Sequence, residues 1–249
     1  MRLSVIAGCS VLTIALLAAP RTASAQWKGK YYKLPASGVN KNPDVQQDPS
    51  CSVCDGGVVT GQVQTALSAG GLPVVANPNA SNSSITDVNG AGELQWWNGN
   101  GTTSVFEKTL FSSSINMHDH FFPDGETSNN LFQRAVHWSA TAANSGSSVM
   151  SLQGDDEAWL FVNGSLVLDN GGVKAIGNAT TGTVAWTAGQ RFDLFFADRH
   201  TVESGVVLDQ GRLLTTATPE PVSMTLLATG LVGMAGAGLR RRRRESTEG

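Results

Sequence analysis

Residues 154–169 read Gly154-Asp155-Asp156-Glu157-Ala158-Trp159-Leu160-Phe161-Val162-Asn163-Gly164-Ser165-Leu166-Val167-Leu168-Asp169. Asn163-Gly164 stands between two β-prone runs, and both of its positions tolerate positive φ, which predicts a type I′ turn closing a tight hairpin. Side chains alternate across a strand, so Trp159 and Phe161 share one face while Ala158, Leu160 and Val162 share the other. Both faces are apolar. The strand is therefore expected to be central and covered on both sides. A second strand, over 192–197, alternates Phe192, Leu194 and Phe196 against Asp193 and Phe195.

Outward from this pair the same rhythm continues. From Val58 onward, short apolar stretches alternate with Gly/Asn/Ser clusters, as in an all-β domain. Val74-Val75-Ala76, Glu93-Leu94-Gln95-Trp96-Trp97, Thr103-Ser104-Val105-Phe106, residues 148–152 and Val206-Val207-Leu208 are candidate strands. No amphipathic helix longer than about three turns and no internal repeat is recognisable. Residues 26–57 are rich in turn formers and are expected to form a loosely ordered arm before the β domain of residues 58–217.

Composition narrows the function classes. The chain has 249 residues, 41% hydrophobic and 15% charged, with 28 Gly. So little charge excludes a soluble helical bundle or a coiled coil. The formal net charge of −3 hides an asymmetry, because residues 26–218 hold 10 Lys+Arg against 17 Asp+Glu, whereas Arg240, Arg241, Arg242, Arg243 and Arg244 are contiguous. An acidic body with a basic tip argues against nucleic acid, whose phosphates need a basic face.

Both ends carry targeting patterns. Residues 3–19 form an apolar run behind Arg2, and Ala23-Ser24-Ala25 supplies small residues before Gln26, the layout of a signal peptide over 1–25. An uncleaved anchor is the alternative. Ile6-Ala7-Gly8-Cys9 lies too early in the run to serve as a lipidation site. Residues 222–239 are an uncharged run that as a helix would be about 27 Å long, just enough for a hydrocarbon core. Gly230, Gly233 and Gly236 leave a small-residue stripe on it, and the arginines behind it should hold the tail in the cytoplasm. Pro219-Glu220-Pro221, the weak membrane helix and the arginine cluster together resemble the PEP-CTERM sorting tag of Gram-negative bacteria, here over 218–249. That resemblance implies processing by an exosortase, passage through the inner membrane, and a final place at the cell surface or outside, in association with extracellular polysaccharide and biofilm.

Once Cys9 has left with the signal peptide, Cys51 and Cys54 remain. In an exported chain this C-x-x-C is expected to be a local disulfide. A redox site would need a strand-to-helix junction, and zinc would need a second ligand pair at suitable spacing.

The segment Gly154 to Gly164, with Leu166, Asp169, Gly171 and Gly172, resembles the core signature of the fibro-slime domain. Phe195-Phe196-Ala197-Asp198-Arg199-His200-Thr201-Val202-Glu203-Ser204 is similar to its second signature. The resemblance implies a β-sandwich or barrel of the protective-antigen type, whose members include calcium-dependent sugar-binding adhesins. Lys174 departs from the pattern, since many members have His there.

Ca²⁺ takes six to eight oxygen ligands, and Asp155, Asp156 and Glu157 offer three consecutive carboxylates. Neighbours on an extended strand point to opposite faces, so sharing an ion needs a cis peptide. By resemblance, Asp155 and Asp156 would hold the metal; a further loop would have to add oxygens, and Asp169 and Asn170, across the hairpin, are the nearest in sequence. The competing reading is a solvated turn whose acids accept backbone N–H bonds.

Asp198-Arg199-His200 suggests a network closing a strand end, since no Ser or Cys nucleophile stands in an elbow nearby. His118 and His120 would share a strand face, a partial transition-metal set without a third ligand. Trp96-Trp97 reads as a structural pair, with sugar stacking the alternative. The expectation is a non-enzymatic, exported, calcium-assisted carbohydrate-binding or adhesive module. A matrix protein without a defined ligand is the alternative, and a hydrolase using acids such as Asp155 and Glu157 is the third reading.

Overall fold

In the computed structural model the described residues are 27–35, 41–45, 56–79, 84–98, 103–110, 115–118, 133–200 and 204–210, all within the unit Ser24–Glu220. Their strands, in chain order, are β1 (Trp27–Lys33), β2 (Thr103–Leu110), β3 (Ile115–His118), β4 (Arg134–Thr141), β5 (Gly146–Asp155), β6 (Glu157–Val162), β7 (Ser165–Asn170), β8 (Thr180–Trp186), β9 (Arg191–Asp198) and β10 (Gly205–Asp209). They build two antiparallel sheets, ordered β2-β1-β4-β9-β6-β7 and β3-β10-β5-β8. The all-β expectation holds, with no α-helix among the described residues and no helix there long and apolar enough to cross a membrane.

The β6–β7 hairpin forms as the sequence predicts. Asn163 and Gly164 take φ of 49° and 79°, the positive pair that a type I′ turn requires. β6 lies between β9 and β7 and is buried along its whole length. Its two faces enter different cores. Ala158, Leu160 and Val162 join Trp27, Tyr31, Trp138, Leu152, Leu194, Phe196 and Leu208, which draw on both sheets. Trp159 and Phe161 join Tyr32, Ile85, Leu94, Trp96, Trp97 and Phe195 on the opposite face of the six-stranded sheet. That face is covered by loop segments from 41–45, 56–79 and 84–97.

Trp159 is stacked on Trp96 at 6.2 Å and meets Trp97 edge-on at the same separation. Such contacts contribute about 0.5–1.5 kcal/mol each beyond the burial of apolar area. Trp96 and Trp97 are 0% and 4% exposed, so both rings are packing elements.

Two expectations need correction. The arm over 26–57 contains β1, an interior strand hydrogen-bonded to β2 on one side and β4 on the other. Its period-two pattern explains this: Trp27, Gly29 and Tyr31 are buried, while Lys28 and Lys30 are exposed. Gly29 is required here, since a Cβ would lie 2.6 Å from Trp138 Nε1. Asn42, Asp44 and Val45 of the same region are also buried. Secondly, residues 93–97 are not a strand. Gln95–Trp97 forms a 3₁₀ turn, and Val74, Val75, Glu93 and Leu94 make only isolated bridges. The signal peptide over 1–25, Cys51, Cys54, His120, Pro219-Glu220-Pro221, the 222–239 helix and Arg240 to Arg244 lie outside the described residues.

Candidate functional site

The chain passes from one sheet to the other within a single step. β5 of the four-stranded sheet ends at Asp155, and β6 of the six-stranded sheet begins at Glu157. The peptide bond between Asp155 and Asp156 is cis. β9, the neighbour of β6, ends at Asp198 with Glu157 in register with Ala197. The strand ends thus bring Asp155, Asp156 and Asp198 together, with one carboxylate oxygen of each within 4.8 Å of the others. They are 6%, 1% and 0% exposed.

Backbone donors orient two of the three. Asp156 Oδ2 accepts from the Arg199 amide at 2.8 Å and the His200 amide at 3.1 Å, and its Oδ1 accepts from the Lys174 amide at 3.2 Å. Asp198 accepts from the Gln133 amide at 3.0 Å and the His200 amide at 3.2 Å. Burial, reinforced by the Glu157 charge, lifts the Asp156 carboxyl to about 7, against the pull of the Arg199 amide and the Arg199 and Lys174 charges. Asp198 is held well above the usual carboxylate range by burial and by the charges of Asp156 and Asp155.

Two buried cations stand behind the cluster. Lys174, 1% exposed, donates from Nζ to the carbonyls of Asp156 at 2.6 Å, Gly154 at 2.9 Å and Asn170 at 3.0 Å. Burial lowers its ammonium to about 8 despite the acids around it, led by Glu157 and Asp156. Arg199, also 1% exposed, forms a bidentate pair with Glu157 through Nε and a terminal nitrogen. Its other terminal nitrogen donates to the carbonyls of Asp44 and Ser84, and its guanidinium lies 5.0 Å from the centre of the Trp96 ring. Asp44 in turn accepts from Trp96 Nε1 and from the Thr86 and Asp87 amides. Glu157 is therefore a structural anion, paired away from the three aspartates.

Asp169 and Asn170 do not join the cluster. Asp169 accepts from Trp159 Nε1 at 3.0 Å and from the Gly61 amide at 2.7 Å. Asn170 accepts from the Gly154 amide and donates to Asn178 and Thr180, so both side chains brace the loops around β7. Asp198 takes the place they were expected to fill. Its motif was read as a strand-end network, and nothing local to it announces the β6–β9 pairing that sets it beside Asp156. Lys174 was visible only as a departure from a pattern. His118 ends β3 in register with Gly205, which pairs with Asp155, and His120 is outside the described residues.

The donor set is oxygen only. Three carboxylates in one buried corner suit a hard cation such as Ca²⁺ and do not suit zinc or copper, which favour imidazole or thiolate. Burial first, and neighbouring acid charges second, raise the carboxyls of Asp156 and Asp198, and a divalent cation would favour their ionised forms.

No family model matches the chain. Among curated proteins it is similar to psiE of Dictyostelium discoideum, 42% identical over 72 residues, which are 27% of this chain and 14% of that protein. It is similar to psiD of the same organism, 28% identical over 178 residues, 59% of this chain and 35% of that protein. The chain thus spans well under half the length of these relatives. Among solved structures, the PA14 sugar-binding domain from an RTX adhesin is similar at 12% identity over 75% of this chain and 90% of that one, with a TM-score of 0.34. A GH31 α-xylosidase from Xanthomonas citri is similar at 14% identity over 43% of this chain and 12% of that one, with a TM-score of 0.33. Neither likeness carries the functional reading that follows.

Proposed function

We propose that this chain is an exported, non-enzymatic surface protein of the fibro-slime type, and that its β domain binds carbohydrate hydroxyls with the help of a calcium ion held by Asp155, Asp156 and Asp198. The observation that carries this reading is the corner itself: three carboxylate oxygens within 4.8 Å of one another where the chain changes sheets. A bound Ca²⁺ would supply a hard positive centre with coordination positions left over for hydroxyl oxygens. The chain's own residues do the rest. Amides of Lys174, Arg199 and His200 fix the carboxylates, and Lys174 and Arg199 offset part of their charge from behind. Export rests on the signal-peptide layout of 1–25 and on the sorting-tag layout of 218–249, with an exosortase as the processing partner.

Calcium titration of the melting temperature tests the site. An ion that binds only the folded state adds about 2.7 kcal/mol at a hundredfold excess over Kd. An upward shift that disappears in Asp155→Asn, Asp156→Asn is expected. No shift at millimolar calcium would overturn the metal site. A glycan array, run with and without chelator, then tests the ligand, and retention independent of calcium would break the link between the two. One observation favours a second reading. The three aspartates are 6%, 1% and 0% exposed, as in an ion site that only braces a matrix protein. Calcium stabilisation with no glycan retained would select that reading.

A further inference from the structure

The loop-covered face of the six-stranded sheet carries a groove of about 330 Å³, at a distance in sequence and register from the acidic corner. Register explains its lining. Lys30 pairs with His137 and Lys28 with Ser139, while His137 and Ser139 pair in turn with Phe195 and Asp193. These residues share the sheet face of Tyr32 and Phe195, beyond the point where the loops cover it. The Gly70-Gly71 turn and Trp97 complete the lining.

The charge of this groove opposes that of the body. Among the residues whose burial is described, the exposed Lys and Arg are Lys28, Lys30, Lys41 and Arg191, and three of those four line the groove. No carboxylate stands among its lining residues. Three acids stand nearby: Glu107 is in register with Lys30 on β2, a Glu93 carboxylate oxygen would lie 3.3 Å from a Cβ on the lining Gly70, and Asp193 belongs to β9. Asp193 is buried beneath and acts as an anchor, its Oδ1 accepting from Arg191 Nε at 2.8 Å and from His137 Nε2 at 2.8 Å. His137 also lies flat on Phe195 at 4.2 Å. The guanidinium and the imidazole are thus preset, while the Arg191 side chain stays 57% exposed. A fixed cation facing solvent on β9, with two exposed lysines across β4 on β1, is an arrangement for an oxyanion.

We propose that this groove is a second binding site, for the carboxylate or sulfate group of an acidic saccharide. Its volume matches a small-molecule site, and the Ser139 hydroxyl in its lining suits a hydroxylated ring. Continuous polyanions such as nucleic acid need an extended basic face, which a body with more Asp and Glu than Lys and Arg does not supply. The site does not depend on calcium.

The test is titration calorimetry of the whole chain in calcium-free buffer with tetragalacturonate, a sulfated disaccharide, a neutral maltotetraose and inorganic sulfate. Binding of either acidic saccharide, a loss of at least about tenfold in Arg191→Ala and in Lys28→Ala, Lys30→Ala, and unchanged affinity in Asp155→Asn, Asp156→Asn are expected. The two acidic probes tell carboxylate from sulfate as the group preferred. Equal binding of maltotetraose would overturn the proposal, as would full affinity in both cationic variants. Inorganic sulfate binding as tightly as the saccharides would reduce the groove to an ion site and overturn the saccharide reading. The lysine variant lies on exposed positions of β1, so it reports on binding even if Arg191→Ala weakens the fold.

Discussion

The two faces of the six-stranded sheet are built on different terms. One packs against the second sheet through Leu160, Leu194, Phe196 and their neighbours, an apolar interior drawn from strands alone. The other is closed by loops, and it is there that charge is buried: Glu157 with Arg199, Asp44 under Trp96, and Asp193 with His137 and Arg191. A sheet leaves backbone groups unpaired only along its edges, so it can cover another sheet with side chains alone. Loops bring unpaired amides and carbonyls with them, and these must find partners. Asp44 and Arg199 answer that demand, each bonded to several groups of the covering segments. The acidic corner lies where the two regimes meet.

Arg199→Met should have the largest effect, because it leaves Glu157 buried without its partner at a cost of about 3–5 kcal/mol. Leu160→Ala, on the sheet-covered face, should cost about 2–5 kcal/mol through its cavity. The faces differ in rescue. Adding Glu157→Gln should recover much of the Arg199→Met loss in urea unfolding and none of the Leu160→Ala loss. Equal behaviour of the two doubles would break the comparison.

The corner should respond to pH. The folded carboxyls of Asp156 and Asp198 titrate above their unfolded values, Asp156 near 7, so between the unfolded value and that point the folded chain binds more protons. Calcium-free stability should therefore fall as pH rises from about 4 to about 7, where titration of unshifted carboxylates would leave it flat. Calcium should reverse the trend, since the ion competes with those protons. Melting curves across that range, with and without the ion, check the sign.

Gly164→Ala should have the smallest effect. Its φ of 79° is costly for a side chain, yet no atom lies within 4 Å of the added Cβ. A loss of about 1–2 kcal/mol in thermal unfolding is expected, without change at either site.

The contrast between faces also explains what could be read in advance. The hairpin and β9 were legible because period-two patterning and Asn163-Gly164 act locally. β1 carries the same alternation, but turn formers follow it closely and hid it within an expected arm. The Trp96-Trp97 stretch reads as a strand by residue type, and becomes a 3₁₀ turn because its rings serve to cover Trp159. At the site, Asp155 and Asp156 were legible as neighbours. Asp198 was not, because its place depends on which strand lies beside β6, a choice made by the whole core.

The position of β1 bears on how the chain comes together in time. Synthesis proceeds from the N-terminus, so this strand is made first, yet its β4 partner lies roughly a hundred residues further on. Until β4 arrives, Trp27, Tyr31 and Tyr32 have no sheet to enter, and an apolar ribbon waits in the open. A chain threaded through a membrane would face that wait on the far side. The alternating lysines of β1, which line the basic groove in the finished protein, would meanwhile keep the waiting strand from adhering to its own copies.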